Sequence, residues 1–398
     1  MLLAAATRAG YWRFVTPRWV PDSDADQYLR IAAALARGEG YSLIYPQLER
    51  HATAFRPPLY PSLVALQMAL TGTHSLWGVR LLSLVLGVAV VGLVAKFTLD
   101  LAGPTAAVVA GGAAALSPQL IANDTVSLTE PLSLVLLMAV LLLIAQRRPL
   151  WCGAAAGLLL LTRPNAYLVV AVAGLALWRT VGWRRGLAAV AVSLAVLAPW
   201  MVRNQLQVGT WRPITSDGFT MAAVYAPEAR SRDRFVDPVL DPIYNGTDLE
   251  LLSLGDEGEW SSALTRLALE SVREQPGYVA QVVWRNLGAF FELTPSVNEE
   301  AEALDGRDLD FRDATLPWFY VVTVAGCVGL VLERRRRELW PAMAITAQFV
   351  ALSLVLVATP RLRAPFDLVM CIGVGLLAAH VAAAHVAAAR TRNRGEYG

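Results

Sequence analysis

The sequence predicts an all-α polytopic membrane protein, with about nine to ten transmembrane helices and a small mixed extracytoplasmic domain. Three observations lead to this fold class. Of the 398 residues, 56% are hydrophobic and only 17% are charged, whereas a soluble domain has about 25% charged residues. Long apolar runs follow one another along the chain, and basic residues stand in every second connection between them. The small net charge of +2 argues against nucleic-acid binding.

The apolar runs approach, alone or with their flanks, the roughly 20 residues that a spanning helix needs. They lie near residues 75–95, 105–122, 127–146, 150–162, 165–179, 186–202, 315–332, 339–358 and 366–388. Glycine and alanine are abundant in several runs, and small residues allow helices to approach closely in lipid. We therefore expect a packed bundle. The cysteines Cys152, Cys327 and Cys371 lie inside these runs without CxxC spacing and predict no metal or redox site.

Basic residues between the runs predict the orientation of the chain. They all fall on one side of the membrane, which the positive-inside rule identifies as the cytoplasm. These clusters contain Lys96, Arg147, Arg148, Arg179, Arg184, Arg185, Arg334 to Arg337, Arg390, Arg392 and Arg394. The opposite, external side then receives the segment before residue 75, the short connections around residues 124, 163 and 361, and the long stretch 203–314.

The chain divides into four parts on this basis. We predict an N-terminal segment with the first external loop (1–74), a transmembrane core (75–202), an extracytoplasmic domain (203–314), and C-terminal transmembrane helices with a basic cytoplasmic tail (315–398). The third part contains 20 of the 32 acidic residues and an amphipathic helix pattern over Ser261 to Glu274, continuing from Gly277. Met1 to Val20 lacks a spanning run, so it either lies in the interface or follows a helix upstream of Met1, which we favour.

Acidic residues at predicted external helix ends are the first candidates for chemistry, since charge is otherwise scarce in the runs. Asp22, Asp24 and Asp26 stand at the start of a predicted helix over residues 25–36. An aspartate here either caps that helix or acts as a general base for an attacking hydroxyl. Glu130 stands at a later helix start, with Asp124 close by. No His or Cys cluster has metal spacing, so no cofactor is firmly predicted, although the acidic loop leaves room for a loosely bound divalent cation.

Arginines beside prolines on the same external side are the second set of candidates. They are Arg56, Arg163, Arg203, Arg361 and Arg363. Each alone fits an arginine that reaches the lipid headgroups. Several together, against the positive-inside trend, are better explained by a phosphate to be bound, because arginine stays charged and binds phosphate with two parallel hydrogen bonds.

The order of these motifs resembles one group of membrane enzymes. An acidic loop with Asp-x-x-x-Tyr is followed by Gly-x-Gly-Tyr, Pro-Pro-Leu-Tyr-Pro, a later acidic helix start, Leu-Thr-Arg-Pro, Pro-Trp-x-x-Arg-Asn and Arg-x-Arg. This looks like the GT-C glycosyltransferases that use polyprenyl-phosphate sugars, in the group of the protein O-mannosyltransferases and the lipid A aminoarabinose transferases. The resemblance covers roughly residues 22–370.

The resemblance implies roles for individual residues. Asp24, four residues before Tyr28, matches the catalytic aspartate of the family, and Glu130 matches its second acidic position, with Asp124 as a competitor. The implied substrate-binding residues are Asp26, Tyr28, Arg56, Tyr60, Asp124, Arg163, Arg203, Arg361 and Arg363, among which Arg363 is favoured for the donor phosphate. Two features depart from the family pattern: a spanning helix before the first acidic loop is missing, and Ala25 stands where many members have Glu.

The reaction that the resemblance implies is sugar transfer at the outer face of the plasma membrane. A polyprenyl-phosphate monosaccharide would be the donor, and a glycan, lipid or protein hydroxyl, deprotonated by Asp24, would attack with inversion. The alternatives are a transporter or flippase for a lipid-linked or small anionic substrate, and a non-catalytic membrane scaffold. The first would require inverted repeats and broken mid-membrane helices, which the sequence lacks. The sugar and the acceptor cannot be read from the sequence.

Overall fold

The structure is a computed structural model that describes residues 1–45, 50–244, 255–294 and 299–395. Its first half contains α1 (Leu2–Gly10), a π-helical turn (Tyr11–Val15), α2 (Ser23–Ala36), strands β1 (Ser42–Leu43) and β2 (His51–Ala52), α3 (Leu59–Thr71), α4 (Leu76–Ala102), α5 (Pro104–Leu116), α6 (Pro118–Asn123), α7 (Glu130–Ala145), α8 (Pro149–Leu160), α9 (Tyr167–Val181) and α10 (Trp183–Val208).

The second half is also helical. It contains α11 (Ser216–Tyr225), α12 (Pro227–Arg232), α13 (Glu257–Glu274), α14 (Gly277–Phe290), α15 (Glu299–Leu304), α16 (Leu309–Leu332), α17 (Trp340–Val355) and α18 (Ala364–Gly395). Short 3-10 turns lie at Pro164–Ala166, Pro242–Tyr244 and Pro360–Arg363. The all-α class predicted from the sequence is confirmed.

Five of the described helices are long and apolar enough to cross a membrane. They are Leu76–Ala102, Pro164–Val181, Trp183–Val208, Leu309–Leu332 and Pro360–Ala388. The other predicted runs also form helices, but α5, α7, α8 and α17 have only 12 to 16 residues. One reason is visible at Pro118, which ends the hydrogen-bond ladder and divides the predicted run 105–122 between α5 and α6. The count of nine to ten spans therefore stays a prediction.

Small residues bring the helices of the bundle together, as the sequence suggested. The largest apolar core joins α4, α5, α7, α8, α9 and α18. Between α16 and α18 the backbones touch where Gly329 faces Gly373, since a Cβ added to Gly329 would lie 1.9 Å from the Gly373 carbonyl oxygen. Any side chain at this crossing would force the two helices apart.

Residues 203–314 pack as helices in their described part, which contains no strand. The predicted mixed character of this domain is therefore wrong for the described residues. The amphipathic pattern explains why: Leu264, Ala268 and Val282 are fully buried on one face of α13 and α14, and Trp260 and Leu264 pack in a cluster that includes Phe55. A helical stripe of this kind favours helix-on-helix packing. Whether the domain lies outside the membrane stays a prediction.

Two features near the N-terminus position the site described next. Helix α1 packs against α4 and α5, and its buried Arg8 pairs with Asp124 at 2.8 Å. The antiparallel pair β1–β2 lies just before Arg56 in the chain, with Ser42 opposite Ala52 and Leu43 opposite His51. The starts of α2 and α7 and the 3-10 turn before α18 thereby meet at one end of the bundle.

Candidate active site

Asp24 lies at the centre of the candidate site, in the first turn of α2. The N-cap of this helix is Asp22, whose carboxylate accepts a hydrogen bond from the Ser23 amide, so Asp24 is free of the capping role. Its Oδ1 accepts from Arg56 Nη2, and its Oδ2 accepts from Arg361 Nη2 at 2.7 Å. The side chain is 20% exposed and so is still reachable from outside.

The two arginines dominate the charge state of Asp24. Burial acts to raise the pKa of this carboxyl, but the guanidiniums of Arg56 and Arg361 outweigh it and hold the pKa well below its usual range. Asp24 is consequently anionic at neutral pH. While both arginines remain in contact it is also a weak base, since they stabilise its charged form.

Arg361 connects Asp24 to two further carboxylates. It lies in the 3-10 turn Pro360–Arg363, and its Nη1 donates to Asp305 Oδ1 at 2.8 Å. Its Nε lies 3.3 Å from Glu130 Oε1 in an ion pair. One guanidinium therefore holds three acids from three parts of the chain, with its own side chain 15% exposed.

Glu130 forms the inner wall of the site. It is the first residue of α7, as predicted, and its side chain is 2% exposed. Arg163 Nη2 donates to Glu130 Oε1 at 3.3 Å. Among the described residues, nothing hydrogen-bonds to the buried Oε2 of Glu130. A buried acceptor without a partner is costly, so this oxygen favours a donor group from a bound ligand.

Arg56 is held from several sides by its neighbours. Its Nε donates to Gln27 Oε1 at 2.7 Å, and its Cζ lies 5.6 Å from the centre of the Tyr28 ring. Tyr28 in turn packs edge-on against Tyr60 of α3, with ring centroids 5.5 Å apart. Tyr28 thus makes a cation–π contact with Arg56, and Tyr60 supports the Tyr28 ring.

The loop that carries Arg56 is anchored by Arg203 and by a residue that the sequence did not single out. Arg203 donates to the backbone oxygens of Thr53 and Tyr41. The buried Glu257 accepts from the Thr53 hydroxyl at 2.7 Å and from the Ala54 amide at 2.9 Å. In this structure Arg203 therefore stabilises the loop and lies apart from the Asp24 cluster.

Asp26 and Asp124 also lie away from this cluster. Asp26 pairs with Arg30 on the exposed side of α2, at 2.5 Å. Asp124 is 1% exposed and forms an ion pair with Arg8. Of the two acids considered for the second acidic position, Glu130 is therefore the one that shares an arginine with Asp24. Nothing in the sequence indicated the partnership with Arg8, because it joins residues 116 positions apart.

Arg363 belongs to a neighbouring buried ion cluster. Its Nη2 donates to Glu292 at 2.7 Å and its Nε to Asp367 at 3.1 Å. Arg307 also contacts Glu292, at 3.2 Å. The sequence favoured Arg363 for the donor phosphate, but it is Arg361 that contacts Asp24 and Glu130.

Asp305 is the member of the site that the sequence analysis missed. It follows α15, and its carboxylate is 17% exposed. Burial raises its pKa to about 7, partly opposed by Arg361 and reinforced by the charges of Asp24 and Glu130. The sequence contains an Asp-Gly turn signal at Asp305–Gly306. Because this part of the chain has so many acidic residues, nothing selected Asp305 from the others.

Three carboxylates and three arginines can together hold a phosphate and accept a proton. Within the described ranges, no group of three or more His, Cys, Asp or Glu residues could hold a metal ion. Both oxygens of Asp24 already face guanidiniums. The divalent cation left open by the sequence stays untested.

A family model connects part of this chain to known enzymes. The model of dolichyl-phosphate-mannose-protein mannosyltransferases matches residues 55–202. Arg56 and Glu130 lie inside the matched range, whereas Asp24 and Arg361 lie outside it. No curated protein sequence matches the chain.

Two solved structures from Archaeoglobus fulgidus show the same fold. The oligosaccharyltransferase of Archaeoglobus fulgidus in the apo form has a TM-score of 0.54 and 15% identity, over 99% of this chain and 51% of that chain. The same enzyme, AglB, in complex with an inhibitory peptide and a dolichol-phosphate gives 0.53 and 15%, over the same shares. ArnT from Cupriavidus metallidurans bound to undecaprenyl phosphate has a TM-score of 0.44 and 16% identity, over 95% of this chain and 76% of that chain.

This chain spans about half the length of the archaeal enzyme that it matches. The likeness is one of fold. Together with the family model, it confirms the resemblance to GT-C glycosyltransferases that the motif order indicated.

Proposed function

We propose that the protein is an integral-membrane glycosyltransferase that moves a monosaccharide from a polyprenyl-phosphate donor to an acceptor hydroxyl, with inversion at the anomeric carbon. The transfer takes place on the outer face of the plasma membrane. Asp24 is the general base. The acceptor is a hydroxyl of a glycan, a lipid or a protein.

One observation carries this proposal: Asp24 is flanked by Arg56 and Arg361 at a partly open end of the bundle. The base takes the proton of the attacking acceptor oxygen, and the cations contact the phosphate oxygen that leaves. Because both oxygens are on one anomeric carbon, the base and the cations must belong to one site. The contact of Arg361 with Asp24 and Glu130 satisfies that requirement. The dolichol-phosphate bound to AglB and the matched mannosyltransferase model support a lipid phosphate donor.

The chemical step follows from these positions. The acceptor oxygen attacks the anomeric carbon on the face opposite the phosphate, and the bond between that carbon and the phosphate oxygen breaks. The acceptor proton passes to Asp24, and the sugar configuration inverts. Arg361 and Arg163 stabilise the charge that develops on the leaving polyprenyl phosphate.

The low pKa of Asp24 fits a base that is activated by the donor. A phosphate that binds Arg361 competes with the contact between Arg361 and Asp24. The carboxylate then keeps only Arg56, and its basicity increases. Glu130 positions the two arginines, since Arg163 and Arg361 both contact its Oε1.

The test is the Asp24→Asn variant with a polyprenyl-phosphate sugar as donor. We expect transfer to fall by about 100-fold or more, since a general base contributes roughly 10²–10⁴ in rate. Product formation is measured by mass spectrometry of envelope glycans, with and without the protein, because the sugar and acceptor are then identified by the same experiment. A transporter would move the lipid without forming a new glycosidic bond.

The matched control is Asp22→Asn, which makes the same chemical change two residues earlier. Asp22 is exposed and caps α2, and asparagine is an equally good N-cap. We expect its transfer rate to equal that of the unmodified protein. Undiminished transfer by folded Asp24→Asn protein would rule out Asp24 as the base.

A further inference from the structure

Asp305 differs from the other two acids of the site in how few cations face it. Asp24 has Arg56 and Arg361, and Glu130 has Arg163 and Arg361, whereas among the described residues the ion pair of Asp305 is with Arg361 alone, at 2.8 Å. The strongest other charges that act on it are negative: Asp24 from α2, Glu130 from α7 and Glu302 from α15. It is therefore the acid of the site whose charge is least stabilised.

When all three acids are ionised, the charges of the site balance before a donor arrives. Arg56, Arg163 and Arg361 supply three positive charges, and Asp24, Glu130 and Asp305 supply three negative ones. A polyprenyl-phosphate sugar is a phosphodiester with one further negative charge. In a partly buried site an uncompensated charge is expensive, so binding must either expel a carboxylate or take up a cation.

We propose that the site takes up a proton on Asp305 when the donor binds. This inference rests on the proposed function, because it requires a phosphate at Arg361. The proton comes from the solvent and neutralises Asp305. Arg361 loses that partner and turns its Nη1 to the phosphate, so that the net charge of the site stays unchanged. Asp305 is thus a positioning residue that acts through Arg361.

The ionisation of Asp305 in the absence of donor is suited to this role. Burial raises its pKa to about 7, so near neutrality the carboxyl is part charged and can still accept a proton. Loss of Arg361 and the approach of a phosphate both raise the pKa further. Donor affinity therefore falls as pH rises between this pKa and the higher pKa of the bound state, by up to about tenfold per pH unit. Below pH 7 affinity levels off.

The experiment measures protons directly. The full-length protein in detergent is titrated with undecaprenyl methyl phosphate, a phosphodiester without sugar whose charge does not change near neutrality. Calorimetry in two buffers of different ionisation enthalpy gives the number of protons taken up. We expect about 0.5 to 1 proton at pH 7.5, and close to zero for Asp305→Asn, which binds the probe with an affinity that no longer varies from pH 7 to 9.

The matched control is Asp310→Asn, which removes an exposed acid of the same segment and should take up as many protons as the unmodified protein. That comparison separates titration of Asp305 from general electrostatics and from misfolding. Binding without proton uptake, or uptake that persists in Asp305→Asn, would overturn this inference and leave the donor site intact. Failure of the unmodified protein to bind the probe would overturn the donor site and the inference with it.

Discussion

Arg361 can join three acids because of the shape of its side chain. A guanidinium presents five N–H donors in a rigid planar fork, and here Nη1, Nη2 and Nε face Asp305, Asp24 and Glu130. The acids come from distant parts of the chain, so the fork also fixes their relative positions. A point charge at the same place would attract all three without holding any direction.

This geometry predicts a large effect of the Arg361→Lys substitution. An ammonium keeps the charge but reaches fewer of the acids, and the hydrogen bonds to charged partners that are lost are worth about 1.5–3 kcal/mol each. We expect the transfer rate to fall by about 10- to 100-fold, measured with a saturating donor concentration. Arg30→Lys, on the exposed side of α2, is the control and should be unaffected. Equal losses in both variants would contradict the assigned role.

The sequence identified the charged residues of the site where few other charged residues stand near them in the chain. Asp24, Glu130, Arg56 and Arg361 stood out in such surroundings. Asp305 did not, because it is one of 20 acids between residues 203 and 314. The sequence analysis favoured Arg363 over Arg361, and only the structure shows that these two residues of a 3-10 turn point in different directions and that Arg361 is the one that contacts Asp24.

The turn that presents Asp305 depends on one glycine. Gly306 has φ +77°, and a Cβ there would lie 2.4 Å from Trp19 Nε1 and 2.7 Å from a Val126 methyl carbon. Both the left-handed backbone and the close approach exclude other residues. Trp19 and Val126 thus define how near the end of α15 comes to the start of α7.

The Gly306→Ala substitution tests this element. We expect a loss of about 2 kcal/mol in stability from strain and steric overlap, seen as a lower midpoint of thermal unfolding in detergent. The pH dependence of donor affinity should weaken as well, because Asp305 is displaced from Arg361. Gly277→Ala is the control, since a Cβ at Gly277, the first residue of α14, has no neighbour within 4 Å. A midpoint for Gly306→Ala that matches the control would show that the turn tolerates a side chain.

Helices could be predicted from the sequence better than their lengths. Apolar runs and an amphipathic stripe led to the correct class of element throughout the bundle, and the predicted helix over residues 25–36 is α2, Ser23–Ala36. Boundaries were harder because the sequence shows each proline but not whether the helix breaks there, since α10 and α16 continue through Pro199 and Pro317. At Pro118 the backbone breaks while the sequence stays apolar on both sides.

The molecule as a whole has an orientation that the basic connections predict and that labelling can test. We expect a cysteine at Arg148→Cys to react with a membrane-impermeant maleimide only after lysis, and one at Asp26→Cys to react in intact cells. Both positions lie in exposed or partly exposed parts of the chain. The unmodified chain, with Cys152, Cys327 and Cys371 inside helices, gives the background. The reverse pattern would place the candidate site in the cytoplasm.

The contact between Arg361 and Asp24 spans 337 positions of the chain. During synthesis the ribosome delivers Asp24 and Glu130 long before Arg361. A chain arrested between Glu130 and Arg361 therefore lacks the arginine that joins the two acids. The site that we assign to the donor can form only after Arg361 has left the ribosome.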